Sequence, residues 1–330
     1  MTTAIKTTKK PHTLITCQDK GFFANVRKAT HVDSDARTDR SLFLALSGAD
    51  YGLGLHQASN PVTGNPVPSQ FFVIRDSDST VVAAKTVTES YGVVTPTDLV
   101  ASVAGLVDAG FLEMSDFMLL TKEGIAGNGE IVTLKMVTDQ TAAGENLHWF
   151  LVLTNFHGAG KVKARIVCNR PWCLNQMGAI MAEFDWAVSH RVPRGKTERA
   201  AERIIDAGSQ WDNLTQKLQK VSSNFDALQT LSVPDPDKYI FPVLGIDPKK
   251  DLKGAKKNLR TAIMDEFNNP SRGTFGRTGW DLINAVTAVN THGHESIASK
   301  ADNLSRAGGI LVGSAGTREE KMMRILLAEV

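Results

Sequence analysis

Apolar side chains recur along the middle of the chain with the spacing of one helix face. Trp211, Leu214, Leu218, Val221, Phe225 and Leu228 are separated by alternating steps of three and four, and Ile204 extends the seam backwards. The pattern predicts a long helix near residues 197–231. Two uses fit such a face. It packs on the chain's own core, or it packs on a second helix or subunit, which makes these six residues the candidate oligomerisation surface.

Upstream the period changes. Residues 1–68 read as an irregular N-terminal segment, because the stretch GADYGLGLHQASNPVTGNPVPSQ is rich in Gly and Pro. Phe71–Ile74 and Val81–Val87 are β-branched and aromatic, and Asp76-Ser77-Asp78-Ser79 between them supplies a hairpin turn. Pro96-Thr97-Asp98 opens a helix with Leu99, Val103, Leu106 and Val107 on one face, closed by Ala109-Gly110. Further strands are expected near Glu113–Leu120, Ile131–Thr138, Trp149–Asn155 and Val162–Cys168. Short connections make neighbouring strands antiparallel. The expectation is an α+β fold: an antiparallel sheet with a β-β-α-β-β-β core over residues 69–170 and helices on one face. Residues 171–330 read as mainly helical. The candidates are Pro171–Trp186, the long striped helix, a lysine-rich helix with the basic segment 249–277, Gly279–Asn290, and a tail helix from Thr317 to Val330.

Composition narrows the class without naming a chemistry. The chain has 330 residues, 42% hydrophobic and 22% charged, an ordinary globular balance. No apolar run approaches the ~20 residues that cross a bilayer, and the polar start MTTAIKTTKKPHTLIT lacks the apolar core of a signal peptide. Three cysteines, Cys17, Cys168 and Cys173, are too few for a disulfide framework and fit a reducing compartment. A cytoplasmic protein without metal or cofactor is expected, since neither Cys168 and Cys173 nor His292 and His294 complete a metal-site spacing.

The net charge is only +2, but cations cluster. Between His157 and Arg203 nine Lys/Arg face four acids, and between Lys249 and Arg277 eight face three. Lys161, Lys163 and Arg165 alternate along one predicted strand, so they leave the same face of the sheet. Arg170, Arg191, Arg194, Lys196 and Arg199 follow. Gly195-Lys196-Thr197 has the ending of a nucleotide-binding loop, but His190 stands where the first glycine belongs and Pro193 removes a backbone donor. The better reading is a basic turn into a helix whose first N–H groups favour a phosphate. GIAGNG, residues 124–129, joins strand to strand and reads as a hairpin turn, not a dinucleotide loop.

No catalytic constellation stands out. There is no G-x-S-x-G and no H-E-x-x-H. Cys168 ends an apolar strand and reads as a small core residue. Asp76 and Asp78 read as turn residues.

Several segments together resemble a known family. LVLTNFHGAGKVKARIVCNRPWC contains a strand ending in Asn155-x-His157-Gly158, followed by Arg165-Ile-Val-Cys168-Asn169. FFVIRDSDSTVVAAKTVTESYGVVTPTD carries Arg75, Asp76 and Tyr91, SHRVPRGKTERAAERI enters a helix, and Trp280–Val289 carries Trp280, Asn284 and Thr287. These blocks resemble the phage/plasmid-like family, domain-of-unknown-function family 932. The resemblance runs over roughly residues 20–325 and departs where Arg170-Pro171-Trp172 follows Asn169. The order of elements is also similar to that of Rad-fifty-two-type phage single-strand annealing proteins, a likeness of topology alone.

The leading expectation is therefore a non-enzymatic, oligomeric single-stranded DNA-binding or annealing protein of a phage or plasmid, assembled as a ring or filament. Lys161, Lys163, Arg165, Arg170, Arg191, Arg194, Lys196 and Arg199 hold phosphates in this reading, and Phe156 and Trp172 are the candidate stacking residues. A second reading is a protein-interaction factor with a host partner, such as a counter-defence protein. A third is an enzyme whose site assembles around His157, His190 and Cys168.

Overall fold

The computed structural model describes residues 30–32, 34–83, 85–120, 129–137, 140–158, 161–169, 176–177, 186–191, 202, 214–270, 276–294, 297, 306, 309–310 and 314–330. The fold is α+β. Its main sheet contains β1 (Thr30–His31), β4 (Leu112–Leu120), β5 (Gly129–Met136), β7 (Glu145–Phe156), β8 (Lys161–Asn169) and β10 (Trp186–Ser189), hydrogen-bonded in that order and antiparallel throughout. The short strands β6 (Gln140–Ala142) and β9 (Gln176–Met177) add to β7 and β8. A separate pair joins β2 (Leu53–Ser59) to β3 (Pro66–Arg75).

Strand alternation builds the core. Trp149 lies opposite Cys168, Leu151 opposite Ile166 and Leu153 opposite Ala164, and all six share one buried cluster with the helices. At one end of that face sit α1 (Arg40–Ser47), α2 (Pro96–Ala101) and α3 (Ala104–Asp108), inserting Phe43, Leu99 and Val107. At the other sit α4 (Leu214–Thr230), α5 (Asp237–Leu244), α6 (Gly254–Asn268), α7 (Gly279–His292) and α8 (Ser314–Leu327). The described helices thus serve one face, as the sequence leads one to expect. None of them is long and apolar enough to cross a membrane.

The helix starts have local causes. Thr95 and Asp98 form a reciprocal capping box that opens α2 with Pro96 in its first turn, and Thr278 and Asp281 do the same for α7.

Several expectations change. Residues 1–68 are not irregular throughout, because β2 and α1 lie among them. Within the Gly- and Pro-rich run, residues 60–65 are the loop of the β2–β3 hairpin, where the Asn60 carboxamide oxygen accepts from the Val62 and Thr63 amides at 2.8 and 3.2 Å. LGLHQAS has weak strand propensity and becomes a strand only because β3 pairs with it. The expected hairpin after Phe71 survives as a looser arm. Arg75 and Thr80 close the turn, and isolated bridges join Phe71 to Val87 and Ile74 to Val81. Pro171–Trp186 is not one helix. Gln176–Met177 and Trp186–Ser189 are strands, because the far edge of β8 exposes backbone donors and acceptors that need partners. The long helix is described over Leu214–Thr230 only.

The stripe on that helix is used inside the chain. Val221, Phe225 and Leu228 are fully buried and Leu218 nearly so. Phe225 stacks between Trp149 and Trp280, with ring centroids 5.9 and 4.9 Å away. These four residues are core, not an oligomer interface. Leu214 is the first residue of the described span, and Trp211 lies outside the described residues.

Candidate functional site

The basic residues separate into three groups. Lys161 and Arg191 are exposed, Lys163 and Arg165 are half-buried, and Arg170, Arg194, Lys196 and Arg199 lie outside the described residues. The face carrying Lys163 and Arg165 is not an open groove. It also carries Met118, Ile131, Phe150, Val152 and Val167, none more than 1% exposed. Alternation correctly puts the cations on one face, but their neighbours across the sheet are apolar and that face is buried too. Phe156 is 9% exposed and presents no ring for stacking, and Trp172 is outside the described residues.

One arrangement of cations does come from the fold. β10 pairs with β8 so that Ser189 stands opposite Lys161 and Ala187 opposite Lys163. Arg191 follows two residues after Ser189 and bridges to Tyr91. Two basic stretches some thirty residues apart in sequence meet at one corner of the sheet. Lys85 is exposed beside the same corner, its backbone against Gly158.

Beneath that corner lies a polar cluster that the sequence shows only in fragments. Glu130 on β5 is 0% exposed, and three groups converge on its carboxylate. The Tyr51 hydroxyl donates to Oε1 at 3.0 Å and the Asn155 amide donates to Oε2 at 2.8 Å. His157 Nε2 lies 2.9 Å from Oε2 and 3.0 Å from Oε1. The carboxylate oxygens accept from all three groups. That assignment places the His157 proton on Nε2 and leaves Nδ1 as acceptor, 3.3 Å from the Tyr91 hydroxyl. The Gly158 amide donates to the same phenol oxygen at 3.3 Å. The Tyr91 ring stacks on His190, with centroids 4.6 Å apart and planes 12° apart. Gly92 fixes His190 from the backbone, its carbonyl accepting from Nδ1 at 3.0 Å and its amide donating to the His190 carbonyl at 2.6 Å. The Arg75 guanidinium lies over the Tyr51 ring at 4.5 Å.

The local sequence explains how each group arrives. Asn155 and His157 share a side of β7 and its turn. Gly158 takes φ +80°, and a Cβ there would press on the Lys85 carbonyl at 3.1 Å. Gly129, beside Glu130, lets β5 approach β7 where any side chain would collide with the Asn155 carbonyl. Arg75, Tyr91, Asn155, His157 and Gly158, scattered over two sequence blocks, all lie around Glu130. The signal that points to Glu130 itself is a charge inside Gly-Glu-Ile-Val-Thr-Leu, an otherwise apolar strand. Among the catalytic candidates, His157 and His190 do meet, with ring centroids 5.8 Å apart. Cys168 does not join them. It lies opposite Trp149, eight residues along β7 from His157 and roughly 25 Å away at strand rise. No group of metal-ligating side chains occurs among the described residues.

Burial keeps both tyrosines protonated. The Tyr51 phenol is pushed far above its ordinary range by burial first and then by the Glu130 charge. The Tyr91 phenol is raised by burial, against the opposing Gly158 amide, and raised further by Glu130. A pKa that folding raises adds stability that is complete below the unfolded value and lost as pH climbs past it. The fold is therefore expected to weaken above about pH 10. Urea midpoints at about pH 8 and about pH 11 test this, and Tyr51→Phe/Tyr91→Phe is expected to flatten the drop. An equal drop in that variant removes the tyrosines as the cause.

A family model described as Domain of unknown function (DUF932) matches residues 83–323, well over half of the chain. No curated protein and no solved structure matches.

Proposed function

The chain belongs to the domain-of-unknown-function family DUF932, and for this member we propose single-stranded nucleic-acid binding through the β8–β10 corner. The observation that carries the reading is the strand register. Ser189 opposite Lys161, with Arg191 beyond it, turns two separate basic stretches into one exposed cationic edge. Closely spaced cations on a rigid strand pair suit the regular phosphate spacing of an extended strand, and releasing its counterions supplies the driving force. The reading requires no nucleotide or metal. Annealing is the activity we assign to it, by bringing neutralised strands together. Any homo-oligomer that serves it uses surfaces other than the α4 stripe, whose described apolar residues are core.

Fluorescence anisotropy with a labelled single strand of roughly 40 nucleotides, titrated with salt beside a duplex control, tests the proposal. Wild-type protein is expected to bind the single strand preferentially and with a steep salt dependence. Lys161→Ala/Arg191→Ala is expected to lower the slope of log K against log salt by about 1.4, the value for two lost contacts on a single strand. An unchanged slope removes this corner from the contact surface. Absence of binding at low salt instead favours the protein-partner reading.

A further inference from the structure

We infer that Glu130, His157 and Tyr91 form a relay that activates the Tyr91 hydroxyl as a nucleophile toward a phosphodiester of the bound strand. The inference rests on the strand-binding reading and adds a chemical step to it.

The groups stand in the required order. A buried carboxylate holds the His157 Nε2 proton at 2.9 Å, and the opposite ring nitrogen faces the phenol at 3.3 Å. A base oriented by a third group and aimed at a hydroxyl is the arrangement that activates side-chain nucleophiles. Glu130 and His157 are 0% exposed and Tyr91 is half-buried, so the relay runs from the interior toward the surface. The 3.3 Å separation is of the kind that tightens when substrate binds.

Two further features suit phosphoryl chemistry. A backbone bridge pairs Tyr91 with Arg191, an exposed residue at the corner assigned to phosphate contact. The Gly158 amide points at the phenol oxygen and stabilises negative charge developing there. The His190 stack fixes the plane of the ring.

The step balances with solvent water. Tyr91 Oη bonds to phosphorus, and the bond from phosphorus to one sugar oxygen breaks. The phenolic proton passes to His157 Nδ1, where Glu130 pairs with the resulting imidazolium, and the departing oxygen, on the far side of phosphorus, takes a proton from solvent water. The product is a phosphotyrosyl link that a strand hydroxyl reverses, so neither an oxidant nor a nucleotide is consumed. Tyr91 and His157 are catalytic residues in this scheme, and Glu130 is a positioning residue.

The test incubates the purified full chain with labelled random-sequence single strands, each carrying one bridging phosphorothiolate. The thiolate that leaves does not readily attack back, so the covalent product accumulates. A labelled band that survives denaturing electrophoresis, mapped to Tyr91 by peptide mass spectrometry, is the expected result. Tyr91→Phe is expected to abolish it, with circular dichroism confirming a folded variant. His157→Asn is expected to slow it by about 10²- to 10⁴-fold. Wild-type protein that binds the strands without forming the adduct overturns the relay and leaves the binding function standing. Protein that does not bind them overturns both. An adduct that persists in Tyr91→Phe overturns the assignment of the nucleophile.

Discussion

Phe225→Ala is expected to lower the unfolding free energy by about 3–5 kcal/mol and to leave the oligomeric state unchanged. The ring is fully buried between Trp149 of β7 and Trp280 of α7, so it joins the sheet to two helices at once. Truncation removes most of its apolar area and leaves a cavity, and both losses count. The neighbours are held in place from elsewhere, since the Trp280 indole donates to Glu145 at 3.2 Å and α7 is buried almost on every side. Collapse into the gap is therefore limited. Guanidinium unfolding measures the stability, and light scattering after size exclusion measures the assembly. An oligomer that falls apart while its protomers stay folded contradicts the core assignment and restores the stripe as an interface.

Glu130→Ala is expected to cost about 3–5 kcal/mol as well, for an electrostatic reason. Its carboxylate is the common acceptor for Tyr51, Asn155 and His157, and all three donors are buried. Each buried donor left without a partner costs about 1–3 kcal/mol, and removal of one member of a buried pair is worse than never having built it. Glu130→Gln should fall between wild type and Ala, because its shape is kept but one side of the amide presents hydrogens to donors. A loss below about 1 kcal/mol for Glu130→Ala, measured by urea unfolding near neutral pH, means that the cluster relaxes freely and does not hold the corner together.

The two predictions concern residues of unequal legibility. Phe225 belongs to a helical stripe visible in the sequence, and its burial was one of the two uses that the stripe allowed. Glu130 is marked only as a charge within an apolar strand, with nothing to point to its partners. Its partners lie 79 and 25 residues away at Tyr51 and Asn155, and a pairing over such distances leaves no local period. His157 was visible as part of Asn155-x-His157-Gly158, and His190 as a histidine in a basic segment. Their proximity was not. The cations show the same division. Alternation put Lys161, Lys163 and Arg165 on one face, but nothing in their spacing distinguishes an exposed face from one whose other positions are Phe150, Val152 and Val167.

The sequence by itself determined the local elements, because hydrogen-bond period, turn chemistry and caps act over a few residues. It marked the strands between Leu112 and Asn169, the helix starts at Pro96 and Gly279, and the striped helix through Phe225. Tertiary structure decided what long-range pairing alone can decide. It made a strand of LGLHQAS, turned the end of the expected Pro171–Trp186 helix into an edge strand, and brought Lys161 to Arg191. It also gathered Tyr51, Tyr91, Glu130 and His157 into one hydrogen-bonded network. A strand exists through its partner, and a buried charge persists through its donors. Both belong to parts of the chain that local sequence does not connect.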